Sequence, residues 1–320
     1  MANTQSLFIT ANNKLNKAMP IITPTALITG LLLSKYFLNY RFLVIYLFAF
    51  LTFSSSLTVS PQQLKTVVKT PKLIFIYSLN NYIVNPLFIV IVSKILFKSN
   101  PEIAIGFILL TSIPIAVTSS IWGTIFKGST ALTLSLIIIS ILLSPILTPL
   151  IIKLFISSSI EFDTIGLISS LVKMVLIPSI IGISINYFTK GKGSKTLSIY
   201  TSPFSKVALF FVIVINISGV AADLIHNFDI LYVYTILTAI LFIVSNFVIS
   251  NFISNKFCKD KESVVSIVLA SSLKNISAGL VLAIHFFPPE SSIPIISTIL
   301  MQNVVTSIIG PIIFKTKKQN

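Results

Sequence analysis

The sequence predicts an all-α membrane protein with ten transmembrane helices. Of its 320 residues, 54% are hydrophobic and 10% are charged, whereas soluble domains carry about a quarter charged residues. Apolar segments near the length of one bilayer crossing, about 20 residues, follow one another with short connections. The predicted spans are approximately 18–34, 41–58, 73–97, 102–126, 129–156, 163–188, 203–222, 229–254, 262–286 and 291–314.

The basic residues predict the orientation of these spans. The net charge is +15, and sixteen of the 23 Lys and Arg residues lie on the side that carries both termini. Positive residues mark the cytoplasmic side, so we expect both termini inside and the protein in the cytoplasmic membrane. The basic excess then reflects topology and attraction to anionic lipid, and it does not indicate a nucleic-acid partner.

The scarcity of reactive side chains excludes several classes of function. None of the eight Asp and Glu residues lies near the middle of a span, so no carboxylate is available for a proton relay. One Cys and two His leave no disulfide and no metal cluster. No span places a nucleophile beside a base. We therefore expect neither an enzyme nor a cofactor.

A weak internal repeat predicts two inverted halves, 1–160 and 161–320. The segment 107–114 resembles 267–274 at an offset of 160, and 148–153 resembles 310–315 at an offset of 162. Five spans in each half make the second half insert upside down, as in secondary transporters. The alternative is a chance likeness between apolar segments.

Spans four and nine both carry residues that interrupt a helix. Pro114 removes a backbone donor in span four, and the hydroxyls that follow can satisfy freed backbone groups. Span nine contains Asn275 and Gly279, which tolerate non-helical backbone. If the two interruptions cross, helix ends converge there, and helix N-termini would favour an anionic ligand.

Lys274 lies at the centre of span nine, with no carboxylate nearby in the sequence. An ammonium at that depth is costly and is a functional-site hypothesis. The alternative is a side chain that extends to one interface. Lys274 is 13 residues from Lys261, or about 20 Å along a helix, which favours the first interpretation. Lys173 in span six has no interruption around it, so we expect there a structural role or a side chain that extends to an interface.

Several motifs together resemble the bile acid:sodium symporter family. They are Leu57 to Pro61 with Lys69 to Lys72, Pro114 to Ser120, Lys127 to Thr133, Ser144 to Pro149 and the centre of span nine. This resemblance implies a panel of spans 1, 2, 6 and 7 and a core of spans 3–5 and 8–10. It also implies sodium sites where spans four and nine cross, and an organic anion between core and panel.

The resemblance assigns roles to individual residues. It implies that the former ion sites are lined by Ser119, Ser120, Thr133, Asn81, Ser271 and Lys274. It implies that the substrate is approached by Asn275, Asn303 and Thr118. Three family ligands are replaced: a threonine by Ile137, an acidic residue by Ala270 and a glutamine by Lys274.

These replacements predict lost or altered sodium dependence, because hard cations need oxygen ligands. Three mechanisms stay open: sodium-independent carriage of an anion, proton coupling through Lys274, and a fixed structural charge. We expect a secondary transporter of a small organic anion with Lys274 in place of a sodium ion. The alternative is a membrane channel, or an embedded sensor or binding scaffold.

Overall fold

The computed structural model describes residues 2–59, 71–156, 162–219, 221 and 230–314, and this part of the chain is helical apart from short connections. In the family-like motif of Leu57 to Pro61 with Lys69 to Lys72, residues 60, 61, 69 and 70 lie outside the described residues. The first helices are α1 (Ala2–Leu32), α2 (Ser34–Phe37), α3 (Leu43–Ser56), α4 (Pro71–Leu79), α5 (Asn85–Leu96), α6 (Pro101–Ser112), α7 (Thr118–Ile125) and α8 (Thr130–Phe155).

The remaining α-helices, in chain order, are α9 (Thr164–Leu171), α10 (Ile177–Phe188), α11 (Lys192–Ser218), α12 (Ile230–Phe257), α13 (Lys261–Ser272), α14 (Ile276–Phe286) and α15 (Ser292–Phe314). Short 3-10 turns cover Leu38–Tyr40 and Pro289–Ser291. Two π-helical segments, Asn80–Val84 and Val172–Leu176, join α4 to α5 and α9 to α10.

Among the described residues, six helical stretches are long and apolar enough to cross a membrane. They are Pro71–Leu96, Thr130–Phe155, Thr164–Phe188, Lys192–Ser218, Ile230–Phe257 and Pro289–Phe314. The pair Ser34–Tyr40 and Leu43–Ser56, bent by 76°, makes a seventh if the two helices are counted as one span. Shorter apolar helices cover Pro101–Ser112 and Ile276–Phe286.

Two helix starts differ from the predicted ones. Helix α1 begins at Ala2 rather than near residue 18, and α11 begins at Lys192 rather than near residue 203. The Lys- and Gly-rich stretch before residue 203 suggests a linker by composition. Gly191, however, has φ +80°, a conformation that glycine adopts without steric cost. The chain therefore reverses in one short turn, and α11 starts immediately.

Both π-helical segments precede a proline that lies inside a long helical stretch. Pro86 and Pro178 each follow the end of their π segment by two residues. Proline lacks an N–H and clashes with the carbonyl four residues earlier. A local π-helical turn can satisfy the backbone groups that a proline frees in a membrane helix, so the stretch continues as a helix instead of breaking.

The chain divides into two compact units. The first unit contains Met1–Pro61 and Ile165–Phe228. Within it, α11 packs on α1 and α3, and α3 also packs on α10. Gly30 permits the close approach of α1 to α11, because a Cβ there would lie 2.7 Å from the Val214 carbonyl oxygen.

The second unit contains Gln62–Thr164 and Asp229–Asn320. Within it, α12 packs on α13 and α15, while α6 packs on α5, α8 and α15. Every residue of α6 from Ile103 to Ser112 is buried, and so is every residue of α13 from Ser263 to Ser272. These two short helices form the centre of the second unit.

Candidate functional site

Two interrupted helical segments meet at the centre of the second unit. Helix α6 ends at Ser112 and the chain resumes as α7 at Thr118, while α13 ends at Ser272 and α14 begins at Ile276. Ile113 and Leu273 both have extended backbone. The interruptions lie where Pro114 and the Lys274–Asn275 pair predict them.

The two extended segments pair with each other as an antiparallel bridge between Ile115 and Lys274. The Ala116 N–H donates to the Leu273 carbonyl at 3.0 Å, and the Asn275 N–H donates to the Pro114 carbonyl at 2.8 Å. Backbone polar groups inside a membrane must be satisfied within the protein. Each interruption therefore supplies partners for the other.

Side chains of two neighbouring helices satisfy further backbone groups at the crossing. The Ser140 hydroxyl on α8 accepts from the Ile115 N–H at 3.1 Å, and the Thr148 hydroxyl donates to the Ser112 carbonyl at 2.7 Å. Gln302 on α15 accepts from the Lys274 N–H at 3.0 Å and donates to the Lys274 carbonyl at 3.3 Å. Helix α8 thus holds the first interruption in place, and α15 holds the second.

The Lys274 side chain is 1% exposed, so it does not reach an interface. Its ammonium donates to Asn81 Oδ1 at 2.5 Å and to the Thr111 carbonyl at 3.2 Å. Thr111 lies in the last turn of α6, where the partial negative charge of the helix dipole favours a cation. Both acceptors are neutral oxygens, which are also the ligands that hard cations prefer.

The other predicted ion-site residues fall into two groups. Ser119 and Ser271 are fully buried, and neither hydroxyl has a hydrogen-bond partner among the described residues. Ser120 and Thr133 instead donate to carbonyls of nearby residues in their own chain segment, Val117 at 2.8 Å and Ser129 at 3.1 Å. The first pair therefore keeps free donors and acceptors, whereas the hydroxyl protons of the second pair are engaged.

The predicted substrate-binding residues are dispersed. Asn275 caps the N-terminus of α14, where its side chain accepts from the Ala278 N–H at 3.4 Å. Thr118 begins α7 and Asn303 lies on α15, and both are exposed. The hydrogen bonds from α15 to Lys274 come from Gln302, the neighbour of Asn303, because adjacent helix positions face different directions.

Sequence reasoning assigned no role at the crossing to Ser140, Thr148 or Gln302. These are single polar residues in apolar helices, and their pattern alone does not show which backbone they face.

Among the described residues, no group of three or more His, Cys, Asp or Glu could hold a metal ion.

Comparisons with known proteins give a family and a relative. The model of the Sodium Bile acid symporter family matches residues 44–227. The chain is also similar to a protein of Bacillus subtilis (strain 168) that is described as "Uncharacterized protein YbaS". The two are 32% identical over 292 residues, which cover 91% of this chain and 95% of the Bacillus protein.

Proposed function

Because the chain belongs to the sodium bile acid symporter family of membrane transporters, we propose that it carries a small organic anion by alternating access. Sodium dependence is lost or altered in this proposal. The ammonium of Lys274 stands where a sodium ion would otherwise bind. The observation that carries the proposal is the buried contact of this ammonium with Asn81 Oδ1 and the Thr111 carbonyl.

The local charge supports an anion as the substrate. The hydrogen-bond acceptors of the Lys274 ammonium are neutral, so its positive charge is solvated but not cancelled. A buried uncompensated charge is unfavourable and attracts an opposite one. Helices α7 and α14 also begin beside the crossing, at Thr118 and Ile276. Helix N-termini favour anions.

The loss of cation ligands supports altered sodium coupling. By resemblance, Ala270 and Ile137 occupy positions where family members have oxygen ligands, and both are fully buried here. Neither side chain can coordinate a hard cation. Ser119 and Ser271 retain unpartnered hydroxyls, and we expect them to line the former ion sites. Proton exchange at Lys274 would provide an alternative coupling.

The proposal includes ten crossings in two inverted repeats with both termini in the cytoplasm. The six long stretches and the bent pair would supply seven. Helix α1, with 31 residues, would supply another. The interrupted pairs α6 with α7 and α13 with α14 would supply the last two. Both pairs place their interruption at the crossing, as expected for a transporter site near the bilayer midplane.

Uptake into proteoliposomes would test the proposal. Aliphatic, keto and sterol carboxylates would first be screened by thermal shift, with and without sodium and at several pH values. The best acid would then be used for uptake and counterflow. We expect saturable uptake and counterflow, both lost in Lys274→Ala. Uptake that does not saturate and shows no counterflow would instead indicate a channel.

A second lysine provides the matched control. Lys173 also lies in an apolar span, on the π-helical segment Val172–Leu176, but its side chain is exposed. We expect Lys173→Ala to retain uptake. If Lys274→Ala keeps the uptake rate, the sodium dependence and the pH dependence of the unsubstituted protein, the proposed role of Lys274 is wrong.

A further inference from the structure

The first unit contains a cavity of about 340 Å³ whose lining residues all belong to this unit. Its lining comes from α1, from the C-terminal end of α3 and from the ends of α10 and α11 that meet at Gly191. The polar residues of this lining include Asn12, Thr58, Asn186, Lys195, Ser198 and Ser202. No transport step proposed above uses this cavity.

The cavity is cationic, and its unit offers little to neutralise it. Lys195 lines it directly. The ammonium of Lys206 donates to Asn12 Oδ1 and to the Ser202 carbonyl, which belong to two lining residues. In the sequence of the first unit, Met1–Pro61 and Ile165–Phe228, the single carboxylate side chain is Asp223. Two ammonium groups are therefore held here on neutral acceptors or in solvent.

Hydrogen bonds hold the walls of the cavity together, and two hydroxyl groups lie side by side on one wall. The Asn186 amide donates to the Leu57 carbonyl at 2.8 Å and to the Ser194 hydroxyl at 3.0 Å, which joins α3 to the start of α11. Ser198 and Ser202 lie one turn apart on α11, with hydroxyl oxygens 3.4 Å from each other. Hydroxyls this far apart bond weakly, so both can donate to a ligand.

We propose that this cavity binds a phosphate group, carried either by an anionic lipid headgroup or by free phosphate. A phosphate presents several acceptor oxygens that match the Lys195 ammonium and the hydroxyls of the lining, and the Lys206 ammonium is held next to them on Asn12 and Ser202. Its negative charge would balance the lysines. The cavity volume leaves room beyond a single phosphate for the rest of a headgroup. The proposal does not depend on the transported substrate or on Lys274.

Thermal unfolding of the purified full-length protein in detergent would test the proposal and distinguish the two sources. The probes are phosphatidylglycerol, phosphatidylcholine and inorganic phosphate at constant ionic strength. If a lipid is the source, phosphatidylglycerol raises Tm and the other two do not. If free phosphate is the source, inorganic phosphate raises Tm as well.

Variants would place the effect in the cavity. Lys195→Gln and Lys206→Gln are each expected to weaken the apparent affinity about fivefold. Lys192→Gln is the matched control, because Lys192 is exposed on the same turn but outside the lining. Lys195 is also exposed, so its variant folds even if Lys206→Gln does not. The proposal is overturned if neither phosphatidylglycerol nor inorganic phosphate raises Tm more than phosphatidylcholine or chloride does. It is also overturned if Lys192→Gln loses as much affinity as Lys195→Gln.

Discussion

The two interruptions at the crossing both leave backbone polar groups without helical partners, and different kinds of side chain satisfy them. The first, from Ile113 to Val117, is satisfied by neutral hydroxyls of α8, from Ser140 and Thr148. The second, from Leu273 to Asn275, is satisfied by one amide side chain, Gln302 on α15. Only the second carries a charge, and that charge is directed to the end of α6 that leads into the first interruption.

This difference indicates that the crossing is asymmetric in charge although its backbone pairing is reciprocal. A hydroxyl-supported interruption needs no counter-charge. The lysine-supported interruption needs oxygen acceptors for the ammonium, which it takes from Asn81 and from Thr111. The charged interruption should therefore be the more sensitive of the two to loss of a partner.

The largest loss of stability is expected for Asn81→Leu. The substitution removes an acceptor from a buried ammonium, and we expect it to lower the free energy of unfolding by about 3 kcal/mol. Asn80→Leu is the control, because Asn80 is equally buried and neither atom of its amide has a partner among the described residues. Unfolding in SDS would measure both. Equal losses would contradict the role of Asn81.

Gln302→Leu should have the next largest effect. It leaves the N–H and carbonyl of Lys274 without their side-chain partner, and we expect a loss of about 2 kcal/mol in the same measurement. Asn303→Leu changes the exposed neighbouring residue and should change stability by less than about 0.5 kcal/mol. If the two variants were equally stable, α15 would not support the second interruption.

Ser140→Ala tests the hydroxyl-supported interruption. It removes the acceptor of the Ile115 N–H and a 3.3 Å bond from the Tyr82 hydroxyl, and we expect a loss of about 1 kcal/mol. Ser144→Ala is matched, because that buried hydroxyl donates to Ile141 in its own helix. A loss for Ser144→Ala as large as that for Ser140→Ala would show that the contact with Ile115 contributes nothing.

The smallest effect is expected for the reactivity of Cys258, which lies just before α13. Burial and the Asp260 carboxylate raise the pKa of the Cys258 thiol, while Lys72 lowers it. Less thiolate is therefore present near pH 7.5, and alkylation is slow. We expect Asp260→Asn to increase the maleimide rate about twofold, because Asn retains the helix cap. An unchanged maleimide rate in Asp260→Asn would contradict the influence of Asp260. The same single cysteine also tests the proposed orientation, which is supported if an impermeant maleimide labels it from the cytoplasmic face alone.

The sequence predicts the principal features of the crossing because they depend on strong local signals. Pro114 cannot continue a helix without cost, and Lys274 is too far along span nine to reach an interface. The roles of Ser140 and Gln302 were not predicted, because they depend on which neighbouring backbone lies opposite one polar side chain. Pro145 and Pro149 show the same limit, since both lie inside the continuous helix α8. Tertiary packing decides whether a proline breaks a helix or is accommodated.

The most direct test is the sodium dependence of thermal stability at constant ionic strength. If the Lys274 ammonium occupies the cation position, the unsubstituted protein should have the same Tm in sodium chloride and choline chloride. Lys274→Gln frees Asn81 Oδ1 and the Thr111 carbonyl and adds an amide oxygen, so sodium should raise its Tm. A sodium-specific rise in Tm of the unsubstituted protein as large as that of the variant would contradict the account.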